Sequence, residues 1–382
     1  MTIAHLAHLA DPALCPRLVV KVGSSLLVDP QGNPRREWLA ALVAELAAAK
    51  ARGQQVIVVS SGAIALGSRK LAMKAGGRGS LADAQAAAAV GQIALAGLWA
   101  ELFARHDVTA AQLLLTLDDL EDRRRYLNAT ATIARLLDAG AVPIINENDS
   151  VATQEIRFGD NDRLAARVAQ ASRADAVLLL SDVAGLYDRD PRLPDAQLLP
   201  LIEGVTAEIH AMATGSSASG MGSGGMASKI QAAEIAELAG IALAIIDGRP
   251  QAPINASLGT ATGTLFVPGP RSGGRKAAAR KAWLGGKLRL KGTVVIDAGA
   301  TRALAGGSSL LAAGITQVEG DFGRGDAVAV RGPEGTVLAH GLSEYDAAEC
   351  TRLIGRRSDE QEAILGYAPR SAVIHRDQLV VL

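Results

Sequence analysis

The sequence LVVKVGSS at residues 18–25 decides the fold class. Its first five residues form a short apolar run with one lysine, and the run ends in a glycine and two serines. Such a run is typical of a strand that is covered on both faces, as in a parallel sheet between two layers of helices. A helical pattern follows at residues 37–51, and a second run, VIVVSSGA at residues 56–63, again ends in small polar residues. Strand, helix and strand in this order predict a βαβ unit.

The same alternation continues along most of the chain. Strands are predicted at residues 18–22, 56–59, 110–115, 142–145, 176–180 and 241–246. Helices are predicted at residues 37–51, 81–105, 127–139, 163–171 and 226–239, with Gly140 and Gly240 as C-caps. We therefore predict an α/β fold, an open, doubly wound, mostly parallel sheet sandwiched by helices.

A second, smaller domain is predicted after residue 267. The segment PGPRSGGRK at residues 268–276 is typical of a linker, and residues 271–291 contain eight basic residues and no acidic one. Short β-like runs follow at residues 293–296, 327–330 and 337–340, separated by glycine-rich turns. We predict an N-terminal extension at 1–16, a main domain at 17–267, a linker at 268–286, a small β-rich domain at 287–366 and a C-terminal tail at 367–382.

The composition is that of an ordinary globular protein. The 382 residues are 49% hydrophobic and 20% charged, which allows two or three domains and excludes disordered and low-complexity classes. Lys plus Arg and Asp plus Glu both number 39, so no overall charge attracts the chain to nucleic acid or to an anionic membrane. The two cysteines, Cys15 and Cys350, are too few for a disulfide scaffold. Without a signal-peptide pattern or a membrane span, we expect a protein of the reducing cytoplasm.

The residues that directly follow the predicted strands form the candidate site. In a doubly wound sheet, ligands bind beyond the carboxyl ends of the strands. The segments at this position are Lys21-Val22-Gly23-Ser24-Ser25, Ser60-Ser61-Gly62-Ala63, Asn146-Glu147-Asn148-Asp149, Gly159-Asp160-Asn161-Asp162, Ser181-Asp182 and Gly222-Ser223-Gly224-Gly225-Met226-Ala227-Ser228-Lys229. Small residues, carboxylates, amides and two lysines are therefore expected to converge on one edge of the sheet.

This set of residues predicts phosphoryl transfer. Lysine ammonium groups supply the positive charge that a phosphoryl group in transit needs, and a glycine-rich helix N-terminus binds phosphate oxygens through backbone N–H groups. The chain has no G-x-x-x-x-G-K-[ST] motif after a strand, and no G-x-G-x-x-G follows the first strand. Their absence argues against P-loop enzymes and nicotinamide dehydrogenases, and the missing H-R-D motif argues against protein kinases.

Taken in order, these segments resemble those of the bacterial glutamate 5-kinases, a family with the amino acid kinase fold and often a C-terminal PUA domain. The resemblance rests on residues 19–25, 60–64, 142–149, 159–162, 223–226, 307–311 and 320–325, and it runs from about residue 18 to the C-terminus. The chain departs from the family at Ser24, Ser60, Ser181 and Ser223, where threonine is common. Each serine keeps the hydroxyl group. The N-terminal extension is longer than usual, and we assign it no function.

The resemblance implies that ATP phosphorylates the γ-carboxylate of L-glutamate to give L-glutamyl 5-phosphate, the first step of proline biosynthesis. The implied catalytic residues are Lys21 and Lys229, which would stabilise the phosphoryl group, and Asp162, which would hold the two lysines. The implied substrate-binding residues are Ser61, Asp149 and Asn161, with Asp149 facing the ammonium group. The implied ATP-binding residues are Lys21, Ser181, Asp182, Ser223, Gly224, Gly225, Met226, Ala227, Ser228 and Lys229. Mg²⁺ would bridge the phosphates, with no metal ion held by the protein alone.

The resemblance also implies several partners. Members of the family are often dimers or tetramers and are often inhibited by proline. The labile product suggests delivery to γ-glutamyl phosphate reductase. The residues themselves define no interface for either kind of partner.

Other interpretations of the same residues stay open. Lys21 could extend from a strand end to water, Lys229 could be a charge on a helix surface, and Asp160 could be an N-cap. RNA binding through the PUA-like domain and the basic segment is the alternative from another functional class, although only Trp283 is available there for stacking on a base. Acetylglutamate, aspartate, uridylate and carbamate are alternative acceptors. Asp149 facing a free ammonium group argues against acetylglutamate.

Overall fold

The computed structural model of the chain describes residues 2–151, 160–215, 225–269, 290–370 and 372–381. The chain divides into two compact units, Met1–Asp122 with Asn128–Gly273, and Arg123–Leu127 with Gly274–Leu382. The predicted linker at 268–286 and the basic segment at 271–291 lie almost entirely outside the described residues. Gly159, Ser223 and Gly224 of the predicted site are also outside them. The proposed domain boundaries therefore stay predictions.

The first unit is built on an eight-stranded sheet in the order β3-β4-β2-β1-β5-β7-β8-β6. Its strands are β1 (Arg17–Val22), β2 (Gln55–Ser60), β3 (Ala110–Leu115), β4 (Val142–Glu147), β5 (Ala176–Ser181), β6 (Leu201–Glu203), β7 (Ala242–Asp247) and β8 (Thr264–Val267). Neighbouring strands are parallel except for the β7–β8 pair. The prediction of a mostly parallel sheet is confirmed.

Helices flank this sheet. In the described part of the chain up to residue 269 they are α1 (Ser24–Leu27), α2 (Arg36–Ala51), α3 (Ala63–Lys70), α4 (Leu81–Ala104), α5 (Leu117–Glu121), α6 (Arg123–Asp138), α7 (Asp160–Ser172), α8 (Ala207–Gly215), α9 (Met226–Leu238) and α10 (Pro253–Thr260). Gly140 and Gly240, the predicted C-caps, have φ values of 74° and 69°. That left-handed conformation suits glycine and ends a helix.

Strand β1 lies at the centre of the sheet, between β2 and β5. Alternate residues of a strand face opposite sides, and here Val20 and Val22 belong to the core cluster that also contains Leu42 of α2 and Leu98 of α4. Lys21 points to the other side and contacts Asp162 of α7. The alternation within one short strand therefore places a lysine on the face that carries α7.

Two strands of this sheet were not predicted. Strands β6 and β8 contain three and four residues, which is too short for a hydrophobic period to be recognised. Strand β8 pairs antiparallel with β7 and parallel with β6, so the sheet ends in a mixed edge. This edge is at the opposite end of the sheet from β3.

The N-terminal extension is in contact with the first unit, although the sequence suggested no role for it. Leu6 and Leu9 lie on a 3₁₀ helix and are buried in the same core cluster as Val20. The buried side-chain amide of Gln54 donates hydrogen bonds to the carbonyl oxygens of Leu9 and Cys15, at 2.8 Å and 2.6 Å. The apolar spacing of Leu6 and Leu9 explains why this segment is ordered on the domain.

Helices α3 and α4 approach each other through two glycines. A Cβ atom added at Gly67 would lie 1.8 Å from the carbonyl oxygen of Ala87, and one added at Gly91 would lie 1.7 Å from that of Ala63. No side chain fits at either position, so the two backbones are in direct contact. This contact fixes the start of α3, which follows the second strand end, against the middle of α4.

Helix α4 is the one helix in the described part of the chain that is long and apolar enough, by length and composition alone, to cross a membrane. Half of its most apolar window is buried inside the protein, as expected for a core helix. This is weak evidence for a membrane span.

The second unit is β-rich, as predicted. Its five-stranded sheet has the order β10-β9-β11-β12-β13. The strands are β9 (Gly292–Ile296), β10 (Ile315–Gly320), β11 (Ala327–Arg331), β12 (Val337–Leu342) and β13 (Leu379–Val381), and the helices are α11 (Ala298–Ala305), α12 (Ala347–Arg352) and α13 (Ser358–Leu365). Strands β10 and β13 were not predicted. Because β13 pairs with β12, and Val373 and Ile374 are buried, residues of the predicted C-terminal tail contribute to this fold.

Candidate functional site

Three charged side chains meet at the carboxyl end of β1. The Lys21 Nζ atom lies 2.5 Å from Asp162 Oδ1, and the Lys229 Nζ atom lies 3.0 Å from Asp162 Oδ2. The three residues are 7%, 0% and 6% exposed for Lys21, Asp162 and Lys229, so the group is almost completely removed from water. We call these three residues the lysine–aspartate trio. The alternatives in which Lys21 extends to water or Lys229 is a surface charge are excluded by this burial.

The trio carries one excess positive charge, since two ammonium groups face one carboxylate. Burial lowers the pKa of Lys21, while the charge of Asp162 opposes this effect and that of Lys229 adds to it. Burial alone would raise the pKa of Asp162, but the two ammonium groups outweigh it and hold that pKa below its usual value. Two buried ammonium groups around one carboxylate give a positive local field, which favours an anion placed beside them. The trio is therefore suited to bind an anionic group.

Each member of the trio comes from a different element. Lys21 is the fifth residue of β1, Asp162 lies in the first turn of α7, and Lys229 lies in the first turn of α9. A carboxylate is favourable at a helix N-terminus because of the helix dipole. Gly225 precedes α9 without a side-chain cap, which leaves its first backbone N–H groups oriented along the helix axis as in phosphate-binding helices.

A chain of polar side chains lies beside the trio. The Asn161 Nδ2 atom donates to Ser61 Oγ at 2.9 Å and to Asn146 Oδ1 at 3.3 Å. Asn161 directly precedes Asp162 in α7, so the two predicted substrate-binding residues Ser61 and Asn161 adjoin the trio. Gly62, with φ of 99°, lies in the left-handed region and turns the chain from β2 into α3.

Asp149, the third predicted substrate-binding residue, lines a cavity of about 280 Å³. The cavity is also lined by Ala63, Gln92, Glu147 and Ser150. It therefore opens between α3, α4 and the carboxyl end of β4. Arg78 lies within electrostatic range of Asp149 and was not predicted.

The predicted ATP-binding residues are distributed over two strand ends. Ser181 ends β5, its Oγ lies 3.2 Å from Asp182 Oδ1, and its side chain is buried whereas Asp182 is exposed. Gly225, Met226, Ala227, Ser228 and Lys229 form the N-cap and first turn of α9. Ser223 and Gly224 lie outside the described residues. The roles of these residues in ATP binding stay predictions.

Besides Arg78, three residues of the site do not follow from reasoning on the sequence. The sequence pattern assigns no role to Asn146, and it places Gln92 and Trp99 only within the predicted helix at residues 81–105. The Asn146 Nδ2 atom donates to Gln92 Oε1 at 2.8 Å, and the Trp99 Nε1 atom donates to Ser60 Oγ at 2.9 Å. The signal that could have identified them is the polar atom each places in an otherwise apolar helix or strand, since buried polar atoms need partners.

Among the residues that the structure describes, no group of three or more His, Cys, Asp or Glu side chains is arranged to hold a metal ion. Both oxygens of Asp162 face lysines. A divalent cation at this site would therefore depend mainly on phosphate oxygens, which is the usual coordination of Mg²⁺ in nucleotide sites.

The sequence matches two protein families. The amino acid kinase family matches residues 16–247, and the PUA domain matches residues 292–365. The first match covers more than half of the chain. It includes Lys21, Asp162 and Lys229, whose positive charge is of the kind that phosphoryl transfer needs. The chain belongs to the amino acid kinase family.

Curated relatives narrow this assignment. Proteins named glutamate 5-kinase are 72% identical over 382 residues in Novosphingobium aromaticivorans (100% of both chains) and 60% identical over 374 residues in Sphingopyxis alaskensis (98% of this chain and 100% of that one). Within the amino acid kinase family, the chain is a member of the glutamate 5-kinases. A carbamate kinase from Giardia lamblia bound to AMP-PNP is similar over 66% of this chain and 98% of that one, with 16% identity and a TM-score of 0.49.

Proposed function

We propose that the chain transfers the γ-phosphoryl group of ATP to the γ-carboxylate of L-glutamate, giving L-glutamyl 5-phosphate for proline biosynthesis. The observation that supports this most strongly is the buried trio of Lys21, Asp162 and Lys229 with its excess positive charge, adjacent to Asn161 and Ser61. The names of the full-length relatives support the choice of glutamate.

The reaction needs charge stabilisation more than proton transfer. A glutamate carboxylate is already an anionic nucleophile at neutral pH, so no general base is required. Its oxygen attacks the γ-phosphorus, the bond to the β–γ bridging oxygen breaks, and the electron pair leaves on ADP. Lys21 and Lys229 compensate the negative charge of the phosphoryl oxygens during this step. Asp162 keeps the two ammonium groups together and takes no proton.

Glutamate is proposed to bind through Ser61, Asn161 and Asp149. The Asp149 carboxylate lines the cavity and is a suitable partner for the α-ammonium group. An acetylated nitrogen carries no charge and would lose this interaction, which disfavours acetylglutamate. Asn161 and Asp162 are consecutive in α7, so a substrate held by Asn161 is brought close to the lysines.

ATP is proposed to bind at the N-terminus of α9 and at Ser181 and Asp182. Backbone N–H groups of the first turn of α9 would contact phosphate oxygens, and residues 223–224 would complete the loop. Mg²⁺ would accompany the phosphates and reduce their negative charge. We further propose a cytoplasmic homo-oligomer, dimer or tetramer, that passes its reactive acyl phosphate to γ-glutamyl phosphate reductase.

The function is tested by trapping the product with hydroxylamine. The purified full-length chain is incubated with MgATP, hydroxylamine and either L-glutamate, N-acetylglutamate or L-aspartate, and hydroxamate is measured by its ferric complex. In parallel, ADP release is followed with uridylate or carbamate as acceptor. We expect γ-glutamyl hydroxamate from glutamate and little product from the other acceptors. A clear preference for another acceptor would overturn the proposed substrate, and a lack of turnover with every acceptor would overturn the proposed activity.

A further inference from the structure

We propose that Gln92 is a positioning residue for the substrate ammonium group. Through Asn146, it fixes the amide of Asn161 so that the Asn161 carbonyl oxygen is presented to glutamate. The inference rests on the proposed function, because it concerns the same glutamate site. It assigns a role to a side chain of α4, a helix that supplies none of the predicted site residues.

The orientation of the Asn146 amide is set by a backbone donor. The Glu147 backbone nitrogen lies 2.9 Å from Asn146 Oδ1, and a backbone N–H group can only donate. The side-chain atom at that position must therefore be the oxygen. The Asn146 Nδ2 atom then lies on the opposite side of the amide, where it is 2.8 Å from Gln92 Oε1. Gln92 provides the acceptor that holds this buried donor in place.

The orientation of the next amide follows from the first. Asn146 Oδ1 can only accept, so the Asn161 atom 3.3 Å away must be its Nδ2 donor. The same Nδ2 atom donates to Ser61 Oγ at 2.9 Å. Two acceptors thus hold the NH₂ end of Asn161, and its oxygen faces the other way. The direction of every bond between Gln92 and Ser61 depends on the Glu147 N–H group.

The oxygen that this chain presents is unsatisfied. Asn161 Oδ1 is buried and has no hydrogen-bond partner among the residues that the structure describes. A buried acceptor without a partner costs free energy, which a donor on a ligand would recover. The α-ammonium group of glutamate has three N–H donors, and it would already be attracted by the carboxylate of Asp149. The unsatisfied oxygen is thus matched to a cationic donor rather than to a carboxylate.

Gln92 is held firmly enough for this role. It follows Gly91, whose Cα lies in backbone contact with α3 near Ala63, and its side chain lines the same cavity as Asp149. Asn146 is 2% exposed, so water has little access to replace Gln92 as the acceptor. Without Gln92, the Asn146 donor would be buried and unpaired. The unpaired NH₂ group could then find a new partner only if the Asn146 side chain moved, and that movement would withdraw Oδ1 from Asn161.

The test compares Gln92→Leu, which removes the acceptor at similar volume, with Gln92→Glu, which keeps an acceptor oxygen. Initial rates are measured by the hydroxamate assay with L-glutamate and with glutarate, which lacks the amino group. For Gln92→Leu we expect the KM for glutamate to rise by about ten-fold, as for the loss of one hydrogen bond to a charged group. The kcat, the KM for ATP and the kcat/KM for glutarate should change by less than about two-fold. Gln92→Glu should stay close to the unsubstituted enzyme.

Two further measurements keep the outcomes distinct. Thermal unfolding identifies a variant that fails to fold, in which case Gln92→Met replaces Gln92→Leu. The split between the KM for glutamate and the KM for ATP gives a readout that does not depend on glutarate turnover. An equal loss with both acceptors, or an unchanged KM for glutamate in Gln92→Leu, would overturn the positioning role. Failure of the unsubstituted enzyme to phosphorylate glutamate would instead overturn the proposed function.

Discussion

The ammonium group of Lys21 lies 2.5 Å from a carboxylate oxygen of Asp162, and both side chains are buried. This pair joins the central strand of the sheet to the first turn of α7. Lys229 contacts the other carboxylate oxygen, so the trio itself holds two positive charges and one negative charge. Asp162 and the lysines therefore differ in their effect on stability, because removing either lysine leaves one balanced pair, whereas removing Asp162 leaves two ammonium groups without their shared carboxylate.

Replacement of Asp162 should destabilise the fold strongly. In Asp162→Asn, two buried ammonium groups face each other without a counter-charge, and we expect the free energy of unfolding to fall by about 3–5 kcal/mol. Urea denaturation followed by circular dichroism measures this change. The matched control is Asp190→Asn, which removes an exposed ion pair with Arg192 at 2.5 Å and should cost less than about 1 kcal/mol. Equal effects of the two substitutions would contradict the role given to Asp162.

Activity should fall at alkaline pH before stability does. The folded-state pKa of Lys21 is lowered, so Lys21 loses its charge at a pH below that of an ordinary lysine, and kcat decreases there. A lowered pKa in the fold means that deprotonation of Lys21 does not reduce the free energy of unfolding as pH rises. The pH profile of kcat is compared with that of the melting temperature, with Lys21→Arg as the control that cannot deprotonate. A persistent alkaline decrease in Lys21→Arg would assign the effect to another group.

Low pH should decrease the free energy of unfolding through protonation of the Asp162 carboxylate. The pKa of Asp162 is lowered in the folded state, so its contribution to stability is present above the ordinary aspartate value and is lost as pH falls through the folded value. A group whose pKa is raised in the folded state would change the free energy of unfolding with pH in the opposite direction. The melting temperature at low pH should therefore decrease less in Asp162→Asn than in the unsubstituted chain.

The contact between α3 and α4 predicts opposite effects for two glycines on one helix. Gly91→Ala introduces a Cβ atom 1.7 Å from a backbone oxygen, so it should destabilise the protein by about 1–3 kcal/mol or more. Gly97→Ala, on the same helix with nothing within 4 Å, should stabilise it by up to about 1 kcal/mol because alanine favours the helix. Thermal unfolding of both variants measures the difference. A neutral Gly91→Ala would mean that the helices are not in backbone contact.

Replacement of Asp149 should change the KM for glutamate but not the KM for ATP. Asp149→Ala removes the carboxylate proposed to face the ammonium group, and we expect the KM for glutamate to rise by about ten-fold or more while the KM for ATP changes little. Steady-state kinetics with each substrate varied in turn measures both constants. A similar loss of affinity for both substrates would contradict the assignment of Asp149 to glutamate.

The fold class and the convergence of the trio could be predicted because they depend on short-range patterns. Continuous apolar runs such as residues 18–22 predict buried parallel strands, and parallel strands bring their carboxyl ends to one edge whatever the details of packing. Lys21, Asp162 and Lys229 follow or flank such ends, and the structure places the ammonium group of each lysine within 3.0 Å of an Asp162 oxygen. Their proximity therefore follows from topology.

Other parts of the site depend on helix packing, which no local pattern specifies. The position of Gln92 next to Asn146 requires the close approach of Gly67 and Gly91, and sequence alone does not show that two glycines in different helices meet. The short strand β8 was missed because four residues are too few for a period. The contact of the N-terminal segment with the core was not predicted, because it depends on the burial of only two leucines, Leu6 and Leu9.

The central claim is that the excess positive charge of the trio stabilises the transferred phosphoryl group, and Lys229→Met tests it most directly. This substitution leaves the neutral Lys21–Asp162 pair, so the free energy of unfolding should change by less than about 1–2 kcal/mol. The kcat for hydroxamate formation from glutamate should fall by about 10²–10³-fold, as when a charge-stabilising donor is removed from an active site. A folded Lys229→Met enzyme with a near-normal kcat would contradict the claim.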